Sequence, residues 1–221
     1  MRKLTKTLAT LTAALAFGAT AHAAGNPEGK IQVKVLATAV LPSGAVTKVN
    51  NGVLPVGANA VASDNVAPTV AVEYFLKPNV SVETICCLTQ HHVNGAGALA
   101  GANLVNHVLI LPATVTVKYH LPLPGFKPYI GAGPALFFII DERVGATLAG
   151  AADQVKMSNE FGIALQAGVD VPLSNGFGLS LDAKKYFVST NAHFSKAGVE
   201  VLSTRHKLDP WVLSAGVAYR F

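Results

Sequence analysis

The chain has 221 residues, 17 Lys+Arg against 12 Asp+Glu, and a pI near 9.3; it is 51% apolar and only 13% charged. An average soluble protein is about 25% charged, and no basic cluster with interleaved aromatics stands out, so nothing points to a nucleic-acid partner. Past the leader no segment offers 18 consecutive apolar residues, which excludes spanning helices but not spanning strands.

Residues 1–23 read as a secretory signal peptide. Arg2, Lys3 and Lys6 form the basic start, residues 8–19 are apolar or small, and Ala21-His22-Ala23 is a small-x-small cleavage site after Ala23. Removing the leader leaves 14 Lys+Arg against 12 Asp+Glu, a net charge of only +2. The high pI therefore reports the leader, not an anionic partner. Residues 24–221 are long enough for one domain.

Residues 30–40 open that domain with Ile31, Val33, Val35, Ala37 and Ala39 on one face and Lys30, Gln32, Lys34 and Thr38 on the other. This is a strand whose polar face suits a lumen. Residues 41–66 are full of Pro, Gly and Asn and predict a long loop, unusual in a compact soluble domain but expected outside a barrel. Two strands, 68–76 and 80–85, follow around the tight turn Lys77-Pro78-Asn79. Glu73 and Glu83 lie on their polar faces, with Lys34, Lys118 or Arg220 as possible lumen partners.

Cys86-Cys87 closes the second of these strands. Adjacent cysteines in an exported chain leave three states open: a strained vicinal disulfide, two thiols, or a bond to another chain. A second loop, 88–106, carries His91 and His92. Together Cys86, Cys87, His91 and His92, with His107 just beyond the loop, invite a soft-metal or zinc reading, but C-C-x3-H-H is not an ordinary ligand spacing. Solvated loop residues are the default, and no metal or other cofactor is expected.

Residues 108–121 and 127–140 read as the next two strands. Pro112 is expected to bend or bulge the first. Gly131 and Gly133, two apart on one face of the second, let it curve and leave lumen space. Leu136, Phe137, Phe138, Ile139 and Ile140 are apolar on both faces and are expected to give a greasy lumen patch or gate. A third loop covers 141–158. In strand 159–171, Phe161, Ile163, Leu165, Ala167, Val169 and Val171 alternate with Glu160, Gly162, Ala164, Gln166, Gly168 and Asp170. The seventh strand sets Leu179, Leu181, Ala183 and Phe187 against Ser180, Asp182, Lys184 and Tyr186, and a fourth loop covers 191–207.

The last strand puts Trp211, Leu213, Ala215, Val217, Tyr219 and Phe221 on one face. Aromatics at the strand ends suit the girdle of a membrane barrel. Tyr219 and the terminal Phe221 also resemble the signal by which the bacterial barrel-assembly machinery recognises its clients. The count is eight antiparallel strands with short turns on one side and four long loops on the other. The expected fold is an all-β, eight-stranded antiparallel transmembrane β-barrel, too narrow for a wide water channel.

Several stretches resemble the OmpW family of small outer-membrane proteins, which includes AlkL-type members. They are Leu111-Pro112-Ala113 through Lys118-Tyr119-His120, Lys127-Pro128-Tyr129-Ile130-Gly131-Ala132-Gly133, Gly162-Ile163 through Val169-Asp170, and Asp209-Pro210-Trp211 through Tyr219-Arg220-Phe221. The resemblance implies a barrel in the outer-membrane lipid with a hydrophobic pocket opening outward. It also implies passive uptake of small hydrophobic solutes, across the outer leaflet or sideways through the wall. Lumen-facing positions read as small or apolar more often than charged, which fits that expectation. The alternatives are a structural or receptor surface barrel without transport, and an enzyme. His193, Ser195, His206 and Asp209 are scattered and form no catalytic motif, so no enzyme is expected.

Overall fold

The computed structural model describes residues 25, 26 and 28–221; the signal segment and its cleavage position at Ala23 lie outside them. In chain order the strands are β1 (Ile31–Leu41), β2 (Ala45–Asn51), β3 (Ala58–Ala62), β4 (Asn65–Lys77), β5 (Val80–Cys86), β6 (Thr89–Gly97) and β7 (Asn103–His120). They continue as β8 (Lys127–Val144), β9 (Gln154–Met157), β10 (Glu160–Pro172), β11 (Phe177–Phe187), β12 (Ser189–Lys196), β13 (Val199–Lys207) and β14 (Trp211–Arg220). Eight of them close a ring in the order β1, β14, β11, β10, β8, β7, β5, β4 and back to β1, each pair antiparallel.

The period of two decides which side chains meet lipid. Along β1, Val35 is 61% exposed while its neighbour Lys34 is 1% exposed. The same alternation runs through β10, where Phe161 is exposed and Ala164 and Gln166 are buried. An oily exterior around a polar interior reverses a soluble fold and suits hydrocarbon outside. Tyr74, Tyr119, Phe126, Phe177 and Phe221 ring the short-turn side; Phe138, Phe161, Phe187 and Trp211 ring the loop side, all exposed. From Trp211 to Phe221 the strand runs ~33 Å at about 3.3 Å per residue. At a tilt of about 40° that spans ~25 Å of apolar band.

The loops differ from expectation. The stretches 41–66, 88–106, 141–158 and 191–207 are largely strands, not irregular loops: β2, β3, β6, β9, β12 and β13 stand on the rim. Four of them form a second sheet in the order β2-β13-β12-β9, while β3 and β6 extend the upper part of β7. β12 and β13 form a local hairpin, but β2 pairs with β13, β9 with β12 and β3 with β6 across different loops, which the local sequence does not announce. Pro112 likewise keeps its pairing with Phe137. The bulges in β7 fall on either side of His107 instead.

Candidate functional site

The short-turn half of the lumen is filled by charge. Glu73 and Glu83 face each other across β4 and β5. Lys118 Nζ lies 2.9 Å from both carboxylates, and Lys34 Nζ lies 3.0 Å from Glu73, 3.4 Å from Glu83 and 3.1 Å from Asp170. Lys184 joins Glu83 at 3.1 Å to Asp182 at 2.6 Å. Gln166 donates to Glu83 and Asp182, Tyr129 donates to Asp182, and His120 Nε2 sits 2.8 Å from Glu73. All of these side chains are buried. Each ammonium has at least two carboxylates, which is what offsets the desolvation of ions taken out of water. Of the partners expected for Glu73 and Glu83, Lys34 and Lys118 serve; Arg220 instead stacks on Phe75 at 3.6 Å and donates to the Gly29 carbonyl.

Glycines make the network fit. A Cβ at Gly131 would press on the Lys118 stem and Gln166, and one at Gly168 would strike the Tyr129 phenol. The Tyr129 ring in turn lies 3.7 Å beneath Lys118 Nζ. The plug corrects the reading of the lumen as mostly small or apolar: that holds for the loop-side half alone.

Above the plug the lining changes character. Val40, Ile85, Cys87, Ile110, Phe137, Tyr186 and Val212 are among the walls of an apolar cavity of about 40 Å³. A second apolar cavity of about 80 Å³, lined in part by Val46, Leu54, Leu104, Phe194 and Leu202, lies among the rim strands. Ala62, Val93, Met157 and Leu208 line both, so the two meet at a waist. The proposed gate run divides by parity. Phe137 and Ile139 are buried inward, whereas Leu136, Phe138 and Ile140 point outward at 37–45% exposure. In a strand neighbouring side chains take opposite faces, so five consecutive residues cannot line one lumen.

Cys86 is an exposed thiol on the outer face and Cys87 a buried one in the cavity wall; the two are not bonded. The candidate metal set does not assemble among the described residues. His91 is held by Ser63 O at 2.6 Å and Thr89 Oγ1 at 3.0 Å, and His92 by the Asn106 carbonyl. The cysteines mark a break in the wall instead. The β4–β5 ladder ends at Val70↔Cys86, and the β5–β7 ladder at Ile85↔Thr114. Pairing with β7 resumes only at Thr89↔Ile110, beyond Pro112, which has no N–H to give. On the β4 side it does not resume; the seam beyond Thr69 is spanned by Asn65 to Gln90 and by Ser63 with His91 and His92. Thr69, buried at the edge of the seam, has its hydroxyl beside the Cys87 thiol. Leu88, half exposed, lies on its lipid side.

The OmpW family model matches residues 27–221. The chain belongs to the OmpW family. Among its relatives, the outer-membrane protein y4mB of Sinorhizobium fredii (strain NBRC 101917 / NGR234) is 33% identical over 90% of this chain and 82% of its own. The dibenzothiophene metabolism operon protein PahQ of Pseudomonas aeruginosa is 30% identical over 77% of this chain and 79% of its own. The crystal structure of the outer-membrane protein OprG from Pseudomonas aeruginosa shares the fold, with a TM-score of 0.78 at 23% identity, over 89% of this chain and 98% of that one. The family and the lipid-facing exterior place this OmpW-family barrel in the bacterial outer membrane.

Tyr219 and Phe221, the candidate assembly signal, stand in the short-turn girdle, with Tyr219 4.7 Å from Phe177 and 6.0 Å from Phe221. Outside the membrane, His206 lines the outer cavity of this OmpW-family chain, with Nδ1 on the Gly44 carbonyl and Nε2 on Thr204. Burial pushes its imidazole below the ordinary value, and the Gly44 carbonyl only partly opposes this. The folded chain thus prefers neutral His206. That stability is fully present above about pH 6.5, the free imidazole value, and is lost as pH falls through the lower folded value. Intrinsically corrected amide exchange in β13 is expected to rise at pH 5 relative to pH 7, and H206Q is expected to remove the difference.

Proposed function

We propose that this barrel takes up small apolar molecules from the outside and releases them sideways into the membrane at the Cys87 seam. The observation that carries the reading is an apolar cavity that ends on a charged plug: a hydrocarbon that reached Phe137 and Tyr186 would have to separate buried ion pairs to go further down. The lining of the cavity is almost wholly apolar, as the walls of small-molecule sites are. The seam between β4 and the Cys87–Leu88 break is where the wall beside that cavity lacks ladder bonds. PahQ, by its name a dibenzothiophene metabolism protein, suggests a flat apolar heterocycle as one class of solute.

Locking the seam tests this. Thr69 stands across the seam from Cys87, continuing the Val70↔Cys86 register. In a C86S background, T69C oxidised to a disulfide with Cys87 is expected to slow uptake of an apolar fluorescent probe by expressing cells at least to about a tenth, and reduction to restore it. The plug also suits a surface barrel that transports nothing. Equal uptake by oxidised protein, reduced protein and cells lacking it would favour that second reading.

We also read the protein as acting without catalysis. Glu200 at 2.7 Å and Ser203 at 3.2 Å both approach Nδ1 of His193, whereas a relay needs carboxylate and nucleophile on opposite ring nitrogens.

A further inference from the structure

Cations on the outer rim are not distributed alike. Arg143 is paired with Asp141 at 3.0 Å, and Lys156 with Glu142 at 3.4 Å. Above β14 the pattern changes. Arg205 on β13 stands directly opposite Lys48 on β2, both exposed. Among the described residues neither side chain has a hydrogen-bond or ion-pair partner. Like charges facing each other across two strands are destabilising. Two residues along the same face of β13, Lys207 shares Asp209 at 3.1 Å. Lys185 reaches the Asp209 carbonyl and lies 5.1 Å over the Trp211 ring. Lys207 and Lys185 therefore share Asp209, one through its carboxylate and one through its backbone carbonyl, and Arg205 and Lys48 stand beyond them without a carboxylate partner among the described residues.

Their height is set by Trp211, which marks the top of the apolar band. Lys185 pairs across to Trp211, and Lys207 precedes it by four residues. Arg205 and Lys48 sit one step further out. Charged headgroups occupy a layer about 5–8 Å deep beyond the hydrocarbon; Lys185 and Lys207 border it, and Arg205 and Lys48 lie on its outer side. Directly below, the lipid-facing wall is hollowed. Ala37, Ala39 and Ala215 beside Ala183 and Ala167 floor a shallow groove crossing β1, β14, β11 and β10. Leu213 and Leu181 also line it.

We propose that Arg205, Lys48, Lys207 and Lys185 hold the phosphates of a phosphorylated glycolipid of the outer leaflet, with its acyl chains lying in the alanine-floored groove. Arg205 grips a phosphate with its planar fork and the lysines act as point charges. The bound phosphate relieves the Arg205–Lys48 repulsion; no group among the described residues pairs with either side chain. The groove gives the chains a fixed seat where a convex wall would not. The inference is independent of uptake.

Lipid A is the probe, titrated onto the folded full-length mature protein in neutral detergent and read by native mass spectrometry. Bis-dephosphorylated lipid A is the control ligand. The double variant K48Q/R205Q is expected to bind lipid A about thirtyfold more weakly than wild type, the effect of removing two cations at a membrane surface. The double variant R143Q/K156Q, which loses the same charge from paired positions, is expected to bind within about twofold of wild type. Added salt is expected to weaken the wild-type complex. All variants must keep the heat-dependent gel mobility of a folded barrel. Crowding of the groove is tested by A215F: weaker lipid A binding with the salt dependence retained supports the seat, and unchanged binding removes it. Equal binding of the dephosphorylated lipid, or equal loss in the two double variants, overturns the proposal.

Discussion

Replacing Lys118 by Met is expected to destabilise the barrel by about 3–5 kcal/mol, the usual cost of removing one member of a buried ion network. Lys118 is fully buried and lies 2.9 Å from both Glu73 and Glu83. Those two carboxylates face each other across adjacent strands, and without Lys118 only Lys34 would bridge the pair. Urea unfolding of the refolded protein in lipid vesicles measures the loss. Adding E83Q to K118M is expected to recover part of it, because the second carboxylate no longer needs a counter-charge. A K118M protein as stable as wild type to within about 0.5 kcal/mol, the range of an ordinary surface change, would refute the plug as the structural centre of the lumen.

The second large effect belongs to the waist. Ala62→Trp is expected to slow labelling of Cys87 from outside by about tenfold or more, the consequence of a barrier raised by ~1.4 kcal/mol. Ala62 lines both apolar cavities, and Cys87 lies only in the lower one. A benzyl maleimide on a short polyethylene glycol tether, used in a C86S background, reaches Cys87 only from the water side. A packed rim tolerates the added ring at about 1–3 kcal/mol, so gel mobility of the unheated protein is the check on folding. Unchanged labelling would mean that the rim cavity is not the way in. Together the two variants separate the halves of the lumen: K118M acts on stability below, A62W on access above.

That division has a physical origin. Eight strands enclose a space that side chains nearly fill. Below, long Lys, Glu, Gln and Tyr side chains cross it and meet in the middle, with Gly131 and Gly168 opposite the largest of them. Above, the inward side chains are apolar, and β12, β13 and β2 carry the wall outward past the membrane. Apolar space therefore remains where nothing ionic spans the lumen, while the small cavity at the short-turn end is lined by Gln32, His120, Asp170 and Arg220.

The eight membrane strands, their faces and the outer-membrane setting were legible in the sequence, because a period of two is a local property that every strand carries by itself. So were the inward placement of Glu73, Glu83, Lys34 and Lys118 and the tight turn at Pro78. The sequence also suggested a gate over Leu136 to Ile140, where the tertiary structure leaves only Phe137 and Ile139 inside. The rest was decided by residues far apart in the chain. Lys184 and Asp182 on β11 meet Glu83 on β5 because the strands curve around one axis; β2 finds β13 because two loops rise side by side; Cys87 gains meaning from the β4 ladder that stops next to it. Pairwise alternation fixes which way a side chain points, but only ring closure, through strand order and stagger, fixes what it points at.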